Sequence, residues 1–373
     1  MTSHRESLAS RRVVVCVGAG GVGKTTTAAA VALARAREGA RALVCTIDPA
    51  RRLANALGLS ALGNVEARIP DHKLAEAGLA PRGQLWAMML DVKRTWDDLV
   101  TRHAPDAARR DRILRNRLYQ QMSAALAGSQ EYMAMEKLHE LATDRDYDLI
   151  VLDTPPTAHA LDFLEAPDRI LDFLGNETAR SLLAPAIGAG RLGLRLAQLG
   201  GGYIAKTLAR FTGQDVLADL GDFLQGFQGM YDGFKERAAA VRALFSRPEA
   251  GFLLVSSPSP LALGEALAFH ERLHAEAMPI AGLVVNRLTP DLRPGDGPLP
   301  GAAALAPLLP PGAEPGLAAR LAATLAEHQS LVVAERRAIA PLLERLAGPA
   351  ALVPRLESDV HDLAGLAMLG DRL

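Results

Sequence analysis

Apolar residues along this chain gather into short runs, several closing on glycine or an acid, with stretches of helical periodicity between them. The first run, Val13 to Val17 (V-V-V-C-V), is apolar at every position. That pattern suits a strand buried on both faces rather than one lying half in water. Thr26 to Arg37 follows it as a helix. Ala42 to Ile47 (A-L-V-C-T-I) and Leu149 to Leu152 (L-I-V-L) are two more such runs, each followed by an acid, Asp48 and Asp153. Phe252 to Ser256, Gly282 to Val285 and Ala351 to Val353 supply further strands, with helical patterns such as Leu261 to Glu276 between them. Strands alternating with helices predict an α/β fold, a doubly wound and mostly parallel sheet.

Between Asp153 and Phe252 the pattern is mostly helical, which predicts a helical subdomain over residues 165–248 inserted into a single domain of residues 1–373. Residues 289–316 are rich in Pro, Gly and Ala and read as a surface loop. No internal repeat is visible. The 373 residues, 49% of them hydrophobic, are enough for a full core. No uncharged stretch approaches the roughly 20 residues of a membrane span, so no integral membrane segment is expected. The first residues, M-T-S-H-R-E-S, are polar and unlike a signal peptide, and Cys16 and Cys45 sit inside apolar runs as buried fillers. A cytoplasmic location follows as the expectation. The net charge of −1 offers no polyanion-binding surface, and no nucleic acid is indicated.

The chemistry begins directly after the first strand. Residues 18 to 26 read G-A-G-G-V-G-K-T-T, between a strand and a helix. Such a turn directs the backbone N–H groups of Gly20, Gly21, Val22, Gly23, Lys24, Thr25 and Thr26 and a helix dipole at one spot. There Lys24 can reach the β- and γ-phosphates of a nucleotide and Thr25 can ligate Mg²⁺. Lysine is scarce, six among 41 basic residues, and one of the six stands where this motif requires it. In an open parallel sheet the ligand lies beyond the carboxyl ends of the strands, which puts Asp48 and Asp153 beside the phosphates. A helix N-cap after a strand is the other reading of each acid.

The phosphate loop, T-I-D-P-A-R-R-L (46 to 53), D-T-P-P-T-A-H-A-L-D-F-L (153 to 164) and V-V-N-R (284 to 287), in that order and spacing, resemble the ArsA-type ATPases. That family includes arsenite-pump ATPases and the targeting ATPases for tail-anchored membrane proteins, and is related more distantly to MinD and ParA ATPases. The resemblance covers most of residues 12 to 290 and a C-terminal V-P-R-L-E-S-D-V (353 to 360). It implies a deviant phosphate-loop ATPase using ATP and Mg²⁺ as a dimeric switch. Carried over by position, it makes Asp48 the acid that orients or activates the attacking water and Asp153 the acid holding Mg²⁺ through water. Asn286 would read the adenine. His159, after a strand, has a structural reading as well as a functional one.

Several positions depart from the family pattern. Members usually carry G-K-G-G, whose lysine reaches the other subunit's phosphates across the dimer; here that position is Ala19. Arg51 or Arg52 could substitute, or the chain could pair with a related subunit that retains the lysine. Pro155, Ala158 and Asp162 stand where Ala, Gly and Arg are common. The cysteines of the family's zinc clamp and arsenite site are absent, so the expectation is no zinc and no arsenite pump. Leu217, Leu220, Leu224, Phe227, Tyr231 and Phe234 form an apolar helical face, which is either core or a surface for a hydrophobic client or partner. A nucleotide-binding regulatory subunit and a MinD/ParA-like positioning ATPase are the alternative functions. The acidic-to-neutral C-terminus weighs against the latter.

Overall fold

A computed structural model describes residues 4–48, 52–80, 82–117, 119–120, 123, 129–154, 230–293, 297–346 and 348–373. The strands are β1 Val13–Val17, β2 Arg41–Thr46, β3 Ala67–Arg68, β4 Gln84–Met89, β5 Leu149–Asp153, β6 Ala250–Ser256, β7 Ile280–Leu288 and β8 Ala350–Pro354. They form one sheet in the order β3-β4-β2-β5-β1-β6-β7-β8. Among the described residues, only the short β3–β4 pairing is antiparallel. The helices among the described residues are α1 His4–Ala9, α2 Lys24–Glu38, α3 Arg52–Ala56, α4 Asp71–Glu76, α5 Val92–His103, α6 Ala107–Arg115, α7 Ser129–Asp144, α8 Tyr231–Phe245, α9 Pro260–Ala275, α10 Ala302–Leu305, α11 Leu317–Arg345 and α12 Leu363–Gly370. This is the expected α/β fold with a mostly parallel sheet.

The uninterrupted apolar character of β1 has a direct structural cause. Val13, Val15 and Val17 enter one core with Trp96, Tyr132, Phe234 and Phe252. Val14 and Cys16 enter the core on the other face with Ala29, Leu33 and Leu366. Successive strand side chains point to opposite faces, so a central strand covered on both sides must be apolar throughout. β1 lies between β5 and β6, where the chain's progress across the sheet reverses, the place where ligands bind in such sheets.

Two features bring later parts of the chain to the carboxyl end of β1. α12 packs on α2 so closely that a Cβ on Gly370 would lie 3.1 Å from the Ala30 carbonyl oxygen, and this carries the preceding loop over the start of α2. β7 slips register against β8 between Val285 and Leu288, and Arg287 there has φ 62. Beyond β7, Glu335 of α11 accepts from the Thr289 N–H and hydroxyl, at 2.7 and 2.9 Å. Residues 289–316 include α10 and a 3-10 turn, Ala306–Leu308.

Of the predicted helical insertion, residues 165–229 lie outside the described residues, as do His159, Pro155, Ala158 and Asp162 and most of the apolar stripe. Phe234, the end of that stripe, is fully buried against Trp96 and Tyr132, with ring centroids 5.9 and 6.0 Å away. At this position core packing is the reading that applies. Among the described residues, no helix is long and apolar enough to cross a membrane.

Candidate functional site

Glycine is a geometric requirement at two places in the loop after β1. Gly18 has φ 150, and a Cβ there would stand 1.9 Å from the Val255 carbonyl oxygen of β6. Gly23 has φ 99, and a Cβ would meet Asn286 Nδ2 at 2.5 Å. Being the N-cap of α2, Gly23 also has no side chain to satisfy the helix start. The first bond of that helix runs from Thr27 N to Gly23 O at 2.9 Å, so the N–H groups of Lys24, Thr25 and Thr26 have no intrahelical acceptor. They converge, with the positive end of the α2 dipole, at the carboxyl edge of the sheet.

Lys24 is folded back on the loop, its Nζ donating to the carbonyls of Gly18 and Ala19, both at 2.8 Å. Burial lowers its pKa, opposed chiefly by the charge of Asp153. Asp153 ends β5, in register with Thr46 of β2 on one side and Cys16 of β1 on the other. It is fully buried, and Oδ2 accepts from the Thr46 hydroxyl at 2.7 Å, while Oδ1 has no hydrogen-bond partner among the described residues. Burial pushes its pKa up to about 6, against the opposing pull of Thr46, Thr25 and Lys24. The Asp48 N–H donates to the Thr46 hydroxyl at 3.2 Å. Thr46 therefore ties the two acids together, a role that an apolar-run reading of A-L-V-C-T-I could not reveal.

A cavity of ≈ 450 Å³ opens over the loop, with Lys24, Thr25, Asp48, Arg52, Arg287 and His361 among its walls. It adjoins a second of ≈ 600 Å³ that reaches Asn286 and the Arg355–Val360 segment, and the two share Gly23, Thr26, Arg287 and Val360. These are ordinary volumes for a small-molecule site. Gly20 and Gly21 are exposed at the loop's rim, and Val22 is buried. Ala19 is only 5% exposed, its methyl packed in the core, so this position presents no charge to the cavity.

Asn286 braces the loop: Nδ2 donates to Val22 O at 3.0 Å and Oδ1 accepts from the Arg287 N–H at 2.9 Å. One Nδ2 hydrogen and one Oδ1 lone pair are left over. Arg287 reaches the same loop, Nη1 donating to Gly21 O at 2.8 Å. A left-handed backbone at a residue other than glycine costs about 1–2 kcal/mol. The bulge in β7 turns this side chain toward the loop, as bulges near sites often do. V-V-N-R and the 353–360 segment were visible as motifs, but the places of Arg287, Val360 and His361 became clear only once the sheet and α12 were assembled. Arg51 lies outside the described residues.

The donor set suits a hard, oxygen-seeking cation: a threonine hydroxyl at a helix start, and a buried carboxylate with one oxygen unpartnered. Cys16, the nearest softer ligand, is buried, and its thiol is held protonated by burial and by Asp153.

Residues 11–189 match the family model described as an anion-transporting ATPase. ATPase GET3C of Arabidopsis thaliana is 25% identical over 295 residues, 76% of this chain and 68% of that protein. ATPase get3 of Aspergillus terreus is 33% identical over 153 residues, 40% of this chain and 41% of the relative. An uncharacterized protein of Streptomyces coelicolor is 29% identical over 294 residues, 79% of this chain and 66% of its own length. The chain thus spans less than two thirds of the latter two relatives.

Proposed function

The chain belongs to the ArsA-type ATPase family, and from that premise we propose that it binds Mg-ATP in the paired cavities beside the phosphate loop and hydrolyses it. The observation that carries this reading is Asp153, a buried carboxylate with one oxygen unpartnered, next to Lys24 and the open start of α2. Among the described residues no hydrogen bond satisfies that oxygen, and a water on a metal ion would.

In this reading the N–H groups from Gly20 to Thr26 cradle the phosphates, and Lys24 leaves the carbonyls of Gly18 and Ala19 for the β- and γ-phosphate oxygens. Thr25 and Asp153 would hold Mg²⁺, the threonine through its hydroxyl and Asp153 through a water. The metal, when bound, neutralises charge on the phosphate oxygens. Asp48 orients the water that attacks, and Thr46 fixes the spacing between the two acids. Asn286 offers its remaining hydrogen and lone pair to the base. Residues 1–373 act as one ATPase domain with 165–248 inserted and 289–316 as a surface loop. The domain switches between open and closed forms as a dimer, with a second copy or a related lysine-bearing subunit, and the switch governs an apolar client or partner surface. A regulatory subunit with little turnover of its own is the second reading, and the buried methyl of Ala19 favours it.

Calorimetric titration of Mg-ATP into the purified protein tests the reading. One saturable site is expected, weakened about 10- to 100-fold by Lys24→Ala through loss of charge-assisted hydrogen bonds. Identical binding by the two proteins would contradict it.

A further inference from the structure

Lys24 interacts electrostatically with both Asp48 and Asp153, so these three residues alone bring no net positive charge to the phosphate cavity. A polyphosphate, even with a divalent cation, needs more cations than that. Arg287 and Arg52 line this cavity, and of the two Arg287 alone also lines the adjoining one. The Arg287 guanidinium is already anchored on the loop through Gly21 O, its backbone is left-handed, and the β7 slip turns it away from the sheet. Apart from that bond, no described residue pairs with its guanidinium, and the residue is exposed. A bulge and a disfavoured backbone conformation kept only to brace one carbonyl would be poor use of a charged group.

We propose that Arg287 is a phosphate-binding residue of this site, acting within its own chain: the guanidinium donates to the polyphosphate from the β7 side, opposite Lys24, and selects nucleoside di- and triphosphates over monophosphates. This rests on the nucleotide-binding reading above. Arginine suits the task because its planar fork spans two phosphate oxygens and stays charged at every relevant pH. The contact to Gly21 O then serves as the resting position, as the carbonyls of Gly18 and Ala19 do for Lys24.

The test compares wild type, Arg287→Ala, Arg287→Lys and Lys24→Ala by titration with Mg-ATP, Mg-ADP and AMP. Arg287→Ala should weaken ATP and ADP about 10- to 100-fold, the worth of one or two charge-assisted hydrogen bonds, and leave AMP within about twofold. Arg287→Lys should recover part of the loss. A brace for the loop would act otherwise: Arg287→Ala would weaken AMP as much as ATP, and that result overturns the proposal. So would unchanged ATP binding in Arg287→Ala while Lys24→Ala loses it. If Lys24→Ala also binds ATP normally, the nucleotide site itself is wrong. Mixing Lys24→Ala with Arg287→Ala separates chains: no recovery of ATP turnover supports action in cis, and recovery would move Arg287 to the partner's site and overturn this assignment.

Discussion

Replacing Asp153 with asparagine should make the ligand-free protein more stable while crippling its site. The wild-type carboxyl is fully buried and titrates near 6 instead of 3.8. Carrying it ionised therefore costs the fold about 3 kcal/mol at pH 7.5. The sign follows from linkage: as pH falls through 6 toward 3.8, the folded protein takes up a proton that the unfolded chain does not, so the wild type gains stability there. By pH 5 the cost is roughly halved, and it vanishes below 3.8. Asparagine removes the charge and keeps an oxygen for the Thr46 hydroxyl, now bonded to Asp153 Oδ2 at 2.7 Å. Its amide group is left partly unsatisfied at about 1 kcal/mol. The net expectation is a gain of about 2 kcal/mol at pH 7.5 and well under 1 at pH 5. Urea unfolding of both proteins without nucleotide or metal, at the two pH values, measures it. An Asp153→Asn protein that is less stable at both, or a difference that does not change with pH, would refute the claim that a buried charge is held here at a cost to the fold.

Other outcomes follow from the same geometry. Gly18→Ala should lose more than about 3 kcal/mol or fail to fold, because its Cβ would meet the Val255 oxygen at 1.9 Å, whereas Gly21→Ala, with φ 76 and open space around it, should lose only about 1–2. Equal melting temperatures for the two variants would contradict that contrast. Thr46→Val should cost about 1–3 kcal/mol at pH 7.5 by stripping the donor from Asp153 and the acceptor from the Asp48 N–H. It raises the carboxyl's proton affinity further, so the loss should lessen as the pH drops through 6, which denaturation at several pH values will show. Asp48→Asn should bind Mg-ATP as the wild type does and hydrolyse it at least about 10²-fold more slowly, a split that binding and single-turnover assays resolve.

Sequence patterning carried the central sheet and the loop well, for identifiable reasons. β1, β5 and β6 are buried on both faces, so their apolar runs are continuous and end where the sheet ends. β4, Q-L-W-A-M-M, went unread: none of its residues is β-branched and three of its six are half-buried on the rim beside β3. The phosphate loop was legible because its chemistry is local, held within nine residues between one strand and one helix. Thr46, Arg287 and His361 were not, since each acquires its role only through long-range pairing: β2 against β5, the slip in β7, and α12 docked on α2. Asn286 was noticed for the base it would read, and its bonds to Val22 and Arg287 add a bracing task that no motif spells out.

Whether this chain turns over ATP at the Lys24 site is decided by steady-state hydrolysis across a wide range of protein concentration, with Lys24→Ala as the blank. Mg-dependent turnover abolished by that substitution is expected, rising faster than linearly with concentration if two copies of the chain complete the active form. Nucleotide binding without turnover at any concentration would contradict hydrolysis by this chain alone and point to a lysine-bearing partner subunit.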